Sequence, residues 1–123
     1  MSSSLPTVAF GRTDMRVSRV GFGAWAIGGV GWPDASGAQD DEVSVAAIHR
    51  AVERGVNWID TAPIYGHGHS EQVVGRALRG LSERDRPYVF TKAGLRWNPD
   101  EPMSPPALVA SPAAAQTAGV SLV

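Results

Sequence analysis

The chain has 123 residues and a mass of 13.0 kDa, with 43% hydrophobic and 19% charged residues, a composition near the globular average that argues against disorder throughout. Its formal net charge of -1 gives no electrostatic reason to bind nucleic acid or an anionic membrane. With no cysteine it can hold no disulfide framework and no cysteine-based metal site or nucleophile, which fits a reducing compartment.

Met1-Ser2-Ser3-Ser4-Leu5-Pro6 lacks a basic region followed by an apolar run, so no signal peptide is expected. No uninterrupted apolar stretch approaches the roughly 20 residues of a membrane span, and the cytoplasm is the expected location. Val8-Ala9-Phe10 and Met15-Arg16-Val17 flank Gly11-Arg12-Thr13-Asp14 and read as a short hairpin. Val20-Gly21-Phe22 reads as a strand ending at Gly23. The Gly-rich stretch from Ala24 to Gly37, with Trp25, Trp32 and Pro33, cannot sustain a helix and reads as a loop.

Asp40 or Asp41 can cap a helix running to about Arg54, with Val45, Ile48 and Val52 on one face and Gly55 at its stop. The opposite face carries Glu42, His49, Arg50 and Glu53, and His49 is expected in solvent. Val56-Asn57-Trp58-Ile59 follows as a strand, with Trp58 expected in the core. Ser70 is expected to cap a second helix from Glu71 to about Leu78, with Glu71 at the positive end of its dipole, Arg76 and Arg79 near the negative end, and Gly80 closing it. Tyr88-Val89-Phe90-Thr91, entered from Pro87, is the next strand. Alternation of strand and helix implies right-handed crossovers and a parallel sheet, hence the α/β class.

After Lys92 this pattern stops. Residues 99–123 hold five of the nine prolines, six alanines and no Lys or Arg. The expected division is therefore residues 1–98 as a folded part and 99–123 as a Pro/Ala-rich, unstructured tail.

Asp60, Tyr65 and Lys92 carry the chemistry. Reducing a carbonyl by hydride builds negative charge on oxygen, which calls for a proton donor beside it and a cation to make that donor acidic enough. At neutral pH a phenol keeps its proton and gives it up reluctantly; an ammonium within hydrogen-bonding reach favours the phenolate. Neighbouring strands lie roughly 4.8 Å apart, so Lys92 at one strand end can reach over the next, where Asp60 sits and the Tyr65 loop departs. Taken singly, Asp60 could cap a turn, Tyr65 pack as a loop aromatic and Lys92 be a solvated strand end. The ordered set favours the chemical reading only together with the sequence blocks that flank it.

The blocks Arg19-Val20-Gly21-Phe22-Gly23, Gly55-Val56-Asn57-Trp58-Ile59-Asp60-Thr61-Ala62-Pro63-Ile64-Tyr65-Gly66, Ser70-Glu71-Gln72-Val73-Val74-Gly75-Arg76-Ala77-Leu78 and Phe90-Thr91-Lys92 occur in the order found in aldo-keto reductases. From about Val8 to about Trp97 the chain resembles that family. The resemblance implies a (β/α)8 TIM barrel whose bottom is plugged by an N-terminal β-hairpin, and an NADPH-dependent, or NADH-dependent, reduction of an aldehyde or ketone. Tyr65 would give the proton, Lys92 would make it acidic, Asp60 would hold Lys92, and Gly23, Ala24, Trp25 and Asp60 would line the nicotinamide-ribose end of the cofactor. A barrel takes about 250 residues, so this chain is expected to be an incomplete N-terminal portion, truncated before the fourth strand and inactive alone. The family's fourth catalytic residue, a His after the fourth strand, has no counterpart beyond His69. A small-molecule carbonyl is the expected partner, and the oligomeric state is left open.

Two rivals stand beside this reading. Gly21-Phe22-Gly23-Ala24-Trp25-Ala26 fits the dinucleotide fingerprint of a Rossmann-type dehydrogenase fragment, although that motif must open a helix whose N-terminus receives the pyrophosphate. A non-catalytic half-barrel binding through its sheet edges is the other. His67 and His69 have no third ligand at matching spacing, so no metal site is expected. Trp25, Trp32 and Trp97 could line a substrate pocket.

Overall fold

The computed structural model describes residues 4–29 and 37–93. Trp32, Pro33, Trp97 and the whole of 99–123 lie outside the described residues, as does the expected boundary at residue 98. Strands β1 (Thr7–Ala9) and β2 (Arg16–Ser18) form an antiparallel hairpin in which Val8 faces Val17. The turn between them is closed by Phe10 N–H to Met15 C=O at 3.0 Å, and by the Thr13 hydroxyl donating to Phe10 C=O at 2.6 Å.

Three further strands, β3 (Phe22–Gly23), β4 (Trp58–Asp60) and β5 (Tyr88–Phe90), make a parallel sheet in that order. Phe22 pairs with Ile59 and Ile59 with Val89; Gly23 pairs with Asp60 and Asp60 with Phe90. Helix α1 (Asp41–Glu53) connects β3 to β4, and α2 (His69–Arg79) connects β4 to β5. No helix among the described residues is long and apolar enough to cross a membrane.

Alternation along β4 decides which side is buried. Ile59 turns to the helices and packs with Ile48 of α1 and Val73, Val74 and Ala77 of α2, while Ala24 and Ile27 close the end of the cluster. Fully burying a side chain such as Ile48 or Ile59 contributes about 1.5–3 kcal/mol. Trp58 and Asp60, one residue either side, point the other way.

Asp40 caps α1 as expected, its carboxylate accepting from Glu42 N–H at 2.9 Å and Val43 N–H at 3.2 Å, a contribution of about 0.5–2 kcal/mol. Ser70 does not cap α2. Gly68, in the left-handed region, occupies that position with no side-chain cap, and Ser70 is buried within the first turn. His49 also departs from expectation: it is half-buried, with Nε2 2.8 Å from Ala77 C=O and its ring against Gly80. The missing side chain at Gly80 makes room for it. Trp58 is half-buried rather than enclosed, with its ring over Gly21 and Nε1 donating to Ser18 C=O at 2.8 Å. The stretch after Gly23 contains one 3₁₀ turn, Ala26–Gly28, where a loop alone is expected.

Candidate active site

The C-terminal ends of the three parallel strands bring together Gly23, Asp60 and Lys92, with Tyr65 arriving on the loop after β4. Lys92 Nζ donates to Asp60 Oδ2 at 2.8 Å, to Thr61 C=O at 3.0 Å and to the Tyr65 hydroxyl at 3.1 Å. An ammonium has three N–H donors and no acceptor, so these contacts use its full capacity. Partial burial works against its charge, but the hydrogen bonds to Asp60 and Tyr65 and the Asp60 charge outweigh that and hold Lys92 above the ordinary 10.5. Both side chains of the ion pair keep solvent contact, Lys92 at 48% and Asp60 at 41% exposure.

Local backbone bonds explain why Tyr65 sits where it does. The turn after β4 is drawn in by Thr61 N–H to Phe90 C=O at 2.8 Å, then closed by Tyr65 N–H to Ala62 C=O at 3.1 Å. Gly66 follows with φ 65°, and a Cβ there would lie 2.0 Å from Gly28 C=O, so a glycine is required for the loop to pass so close. Trp25 lies nearly parallel to the Tyr65 ring, centroids 6.0 Å apart and planes 14° from coplanar. The Lys92 ammonium is 4.9 Å from the centroid of that ring.

Of the residues expected along a cofactor, Gly23 is exposed and has no atom within 4 Å of the place a Cβ would occupy. Trp25 is half exposed, whereas Ala24 is fully buried. Ala24 N–H donates to Asp60 C=O at 2.9 Å and its C=O accepts from Ser70 Oγ at 2.8 Å, so Ala24 supports the strand ends from behind. The segment Gly21 to Ala26 opens a three-residue 3₁₀ turn instead of a helix able to receive a pyrophosphate, which removes the Rossmann reading of that motif. His69 is engaged with Asp41 Oδ1 at 2.8 Å, and no cluster of three metal-ligating side chains occurs among the described residues.

The pattern of the Aldo/keto reductase family matches residues 19–113. The chain belongs to that family. It is 42% identical over 85 residues to the aldo-keto reductase YhdN of Bacillus subtilis (strain 168), a match covering 69% of this chain and 24% of that protein. To the NADH-specific methylglyoxal reductase of Escherichia coli (strain K12) it is 43% identical over 90 residues, covering 73% and 27%. Among solved structures, the glycerol dehydrogenase AKR11B4 from Gluconobacter oxydans matches with TM-score 0.64 at 44% identity over 80% of this chain and 29% of that one. The chain thus spans about a quarter of the length of the curated relatives it matches. Against the aldo-keto reductase barrel, the hairpin, three parallel strands and two helices are the opening portion, and the described residues form no closed barrel. Enzymes of this architecture place their active sites at the C-terminal strand ends, where Asp60 and Lys92 lie.

Sequence reasoning missed Thr61 and Ser70 as parts of this site. Thr61 contributes a carbonyl to Lys92, which no side-chain pattern signals, and Ser70 looks like an ordinary helix cap.

Proposed function

We propose that the strand-end cluster is the proton-donating half of a nicotinamide-dependent carbonyl reductase site, acting on a small aldehyde or ketone. The observation that carries this is the Lys92 ammonium, hydrogen-bonded at once to the Tyr65 phenol, the Asp60 carboxylate and the Thr61 carbonyl. Asp60 and Thr61 hold the ammonium in place, and the phenol oxygen accepts its third N–H. As the Tyr65 O–H proton passes to the carbonyl oxygen, the charge left on the phenol is met by a cation already in position.

NADPH or NADH, when bound, supplies the hydride that reaches the carbonyl carbon. The open surface at Gly23 and the flat face of Trp25 beside Tyr65 fit the nicotinamide end of such a cofactor. Asp60 lines the same end through its exposed carboxylate edge. The names of the relatives, one NADH-specific and acting on methylglyoxal, one a glycerol dehydrogenase, favour small polar carbonyls and keep both cofactors in play. The absence of cysteine fits a cytoplasmic setting. By itself the 123-residue chain is proposed to give no turnover.

The test joins this chain, after Lys92, to the remaining strands and helices of a relative such as the Bacillus subtilis protein. With a simple aldehyde and NADPH or NADH deuterated on the transferred face, the alcohol formed should carry the deuterium. A folded chimaera that consumes neither cofactor would contradict the reading.

A further inference from the structure

We infer that Ser70 is a positioning residue that holds Lys92 and Tyr65 in register from behind, acting through the hydroxyl of Thr61. The inference rests on the reading of Tyr65 as proton donor, and it concerns a side chain that touches none of the reacting groups. Ser70 is 0% exposed and Thr61 1%. Ser70 Oγ lies 2.8 Å from Ala24 C=O, a group that only accepts, so the Ser70 proton is directed there. A hydroxyl has one proton, and the 3.0 Å contact between Thr61 Oγ1 and Ser70 Oγ must therefore be donated by Thr61. The chain of bonds has one direction, from Thr61 through Ser70 to Ala24.

The backbones of the same residues lead to the site. Thr61 C=O receives Lys92 Nζ at 3.0 Å, Ser70 N–H donates to Tyr65 C=O at 3.1 Å, and Ala24 N–H donates to Asp60 C=O at 2.9 Å. Ser70 thus couples the end of β3 to the turn after β4 through its hydroxyl, and is tied to the Tyr65 loop through its backbone N–H. Helix α2 does not need this hydroxyl for its own start, because Gly68 is its N-cap and makes no side-chain bond. Removing it would leave a buried Thr61 hydroxyl and Ala24 carbonyl short of a partner. Thr61 would then be free to rotate, and the bonds of Lys92, all close to 3 Å, weaken steeply with displacement.

Lys92 is the sole lysine of the chain, so lysine labelled with ¹³C and ¹⁵N gives one side-chain signal that reports on the site. In the 123-residue protein, Ser70→Ala and Thr61→Val should each move the Lys92 titration midpoint down toward the ordinary 10.5. The double variant should move it no further, since both break one chain of bonds. Thr61→Ser, which keeps the hydroxyl, should hold the parent midpoint, and so should Ser44→Ala, which removes a buried serine on α1. A Lys92 midpoint unmoved in folded Ser70→Ala and Thr61→Val would overturn the inference. Failure of both variants to fold would overturn it too, by making the hydroxyls supports of the fold alone. Because the readout needs no turnover, a reductase reading that fails leaves this result standing, and the reverse also holds.

Discussion

The two ends of the parallel sheet are both laced by long-range side-chain bonds, but of different kinds. At the hairpin end, Asn57 Oδ1 accepts from Ser18 N–H at 2.7 Å, Asn57 Nδ2 donates to Arg16 C=O at 2.8 Å, and Trp58 Nε1 donates to Ser18 C=O at 2.8 Å. Each joins a neutral side chain to backbone, which fixes the hairpin under the sheet and leaves nothing to titrate near neutral pH. At the other end, Lys92 bonds to both Asp60 and Tyr65, ionisable groups that keep contact with solvent. Neutral bonds to backbone serve stability, and under the proposed function the charged bonds between half-exposed side chains serve chemistry, so substitutions at the two ends should fail in different ways.

The largest effect is expected at the chemical end. In the chimaera with a relative's C-terminal portion, Tyr65→Phe should lower turnover by a factor of about 100 to 10,000 while cofactor affinity stays the same, because only the donated proton is lost. Comparing steady-state rates with cofactor titrations checks both halves. At the hairpin end, a Cβ on Gly21 would fall 2.2 Å from Trp58 Cε2, so Gly21→Ala must displace the indole from Ser18. Denaturant unfolding should show a loss of about 1–3 kcal/mol, with turnover per folded molecule unchanged.

Asn57→Ala removes the acceptor of the part-buried Ser18 N–H, and a loss of about 1–2 kcal/mol is expected, again without effect on turnover per folded molecule. The smallest effect concerns pH. The folded value of Lys92 is raised, so its contribution to stability is complete below the unfolded value near 10.5 and is lost as pH rises through the folded value. The stability gap between parent and Lys92→Met should accordingly stay constant through neutral pH and shrink only above about 10.5. A gap that closes near neutrality would mean that another group supports Lys92.

Local patterning made the elements legible. Each strand and helix lies within a few residues of where periodicity and turn chemistry put it, and Asp40 caps α1 because an Asx cap is decided by the next three residues. What stayed hidden depends on distant partners. Ser70 before Glu71 has the local form of a cap, yet its hydroxyl is claimed by Ala24, 46 residues earlier. His49 sits on the nominally polar face of α1 and is drawn in by the Ala77 carbonyl and the bare surface of Gly80. Asn57 reads as one more strand residue and proves to hold the hairpin. For the candidate site, the meeting of Asp60, Tyr65 and Lys92 was readable because two neighbouring strand ends bring them together. The Thr61 carbonyl was not, since every residue has one.

The central claim is that Lys92 and Tyr65 act as one proton-donating unit. Turnover of the chimaera carrying both Tyr65→Phe and Lys92→Met, set beside the two single variants, tests it most directly. If the ammonium works through the phenol, Lys92→Met lowers turnover in the presence of Tyr65 but adds less than about threefold once Tyr65 is gone. Losses that multiply in the double variant would contradict the account and make Lys92 an independent contributor.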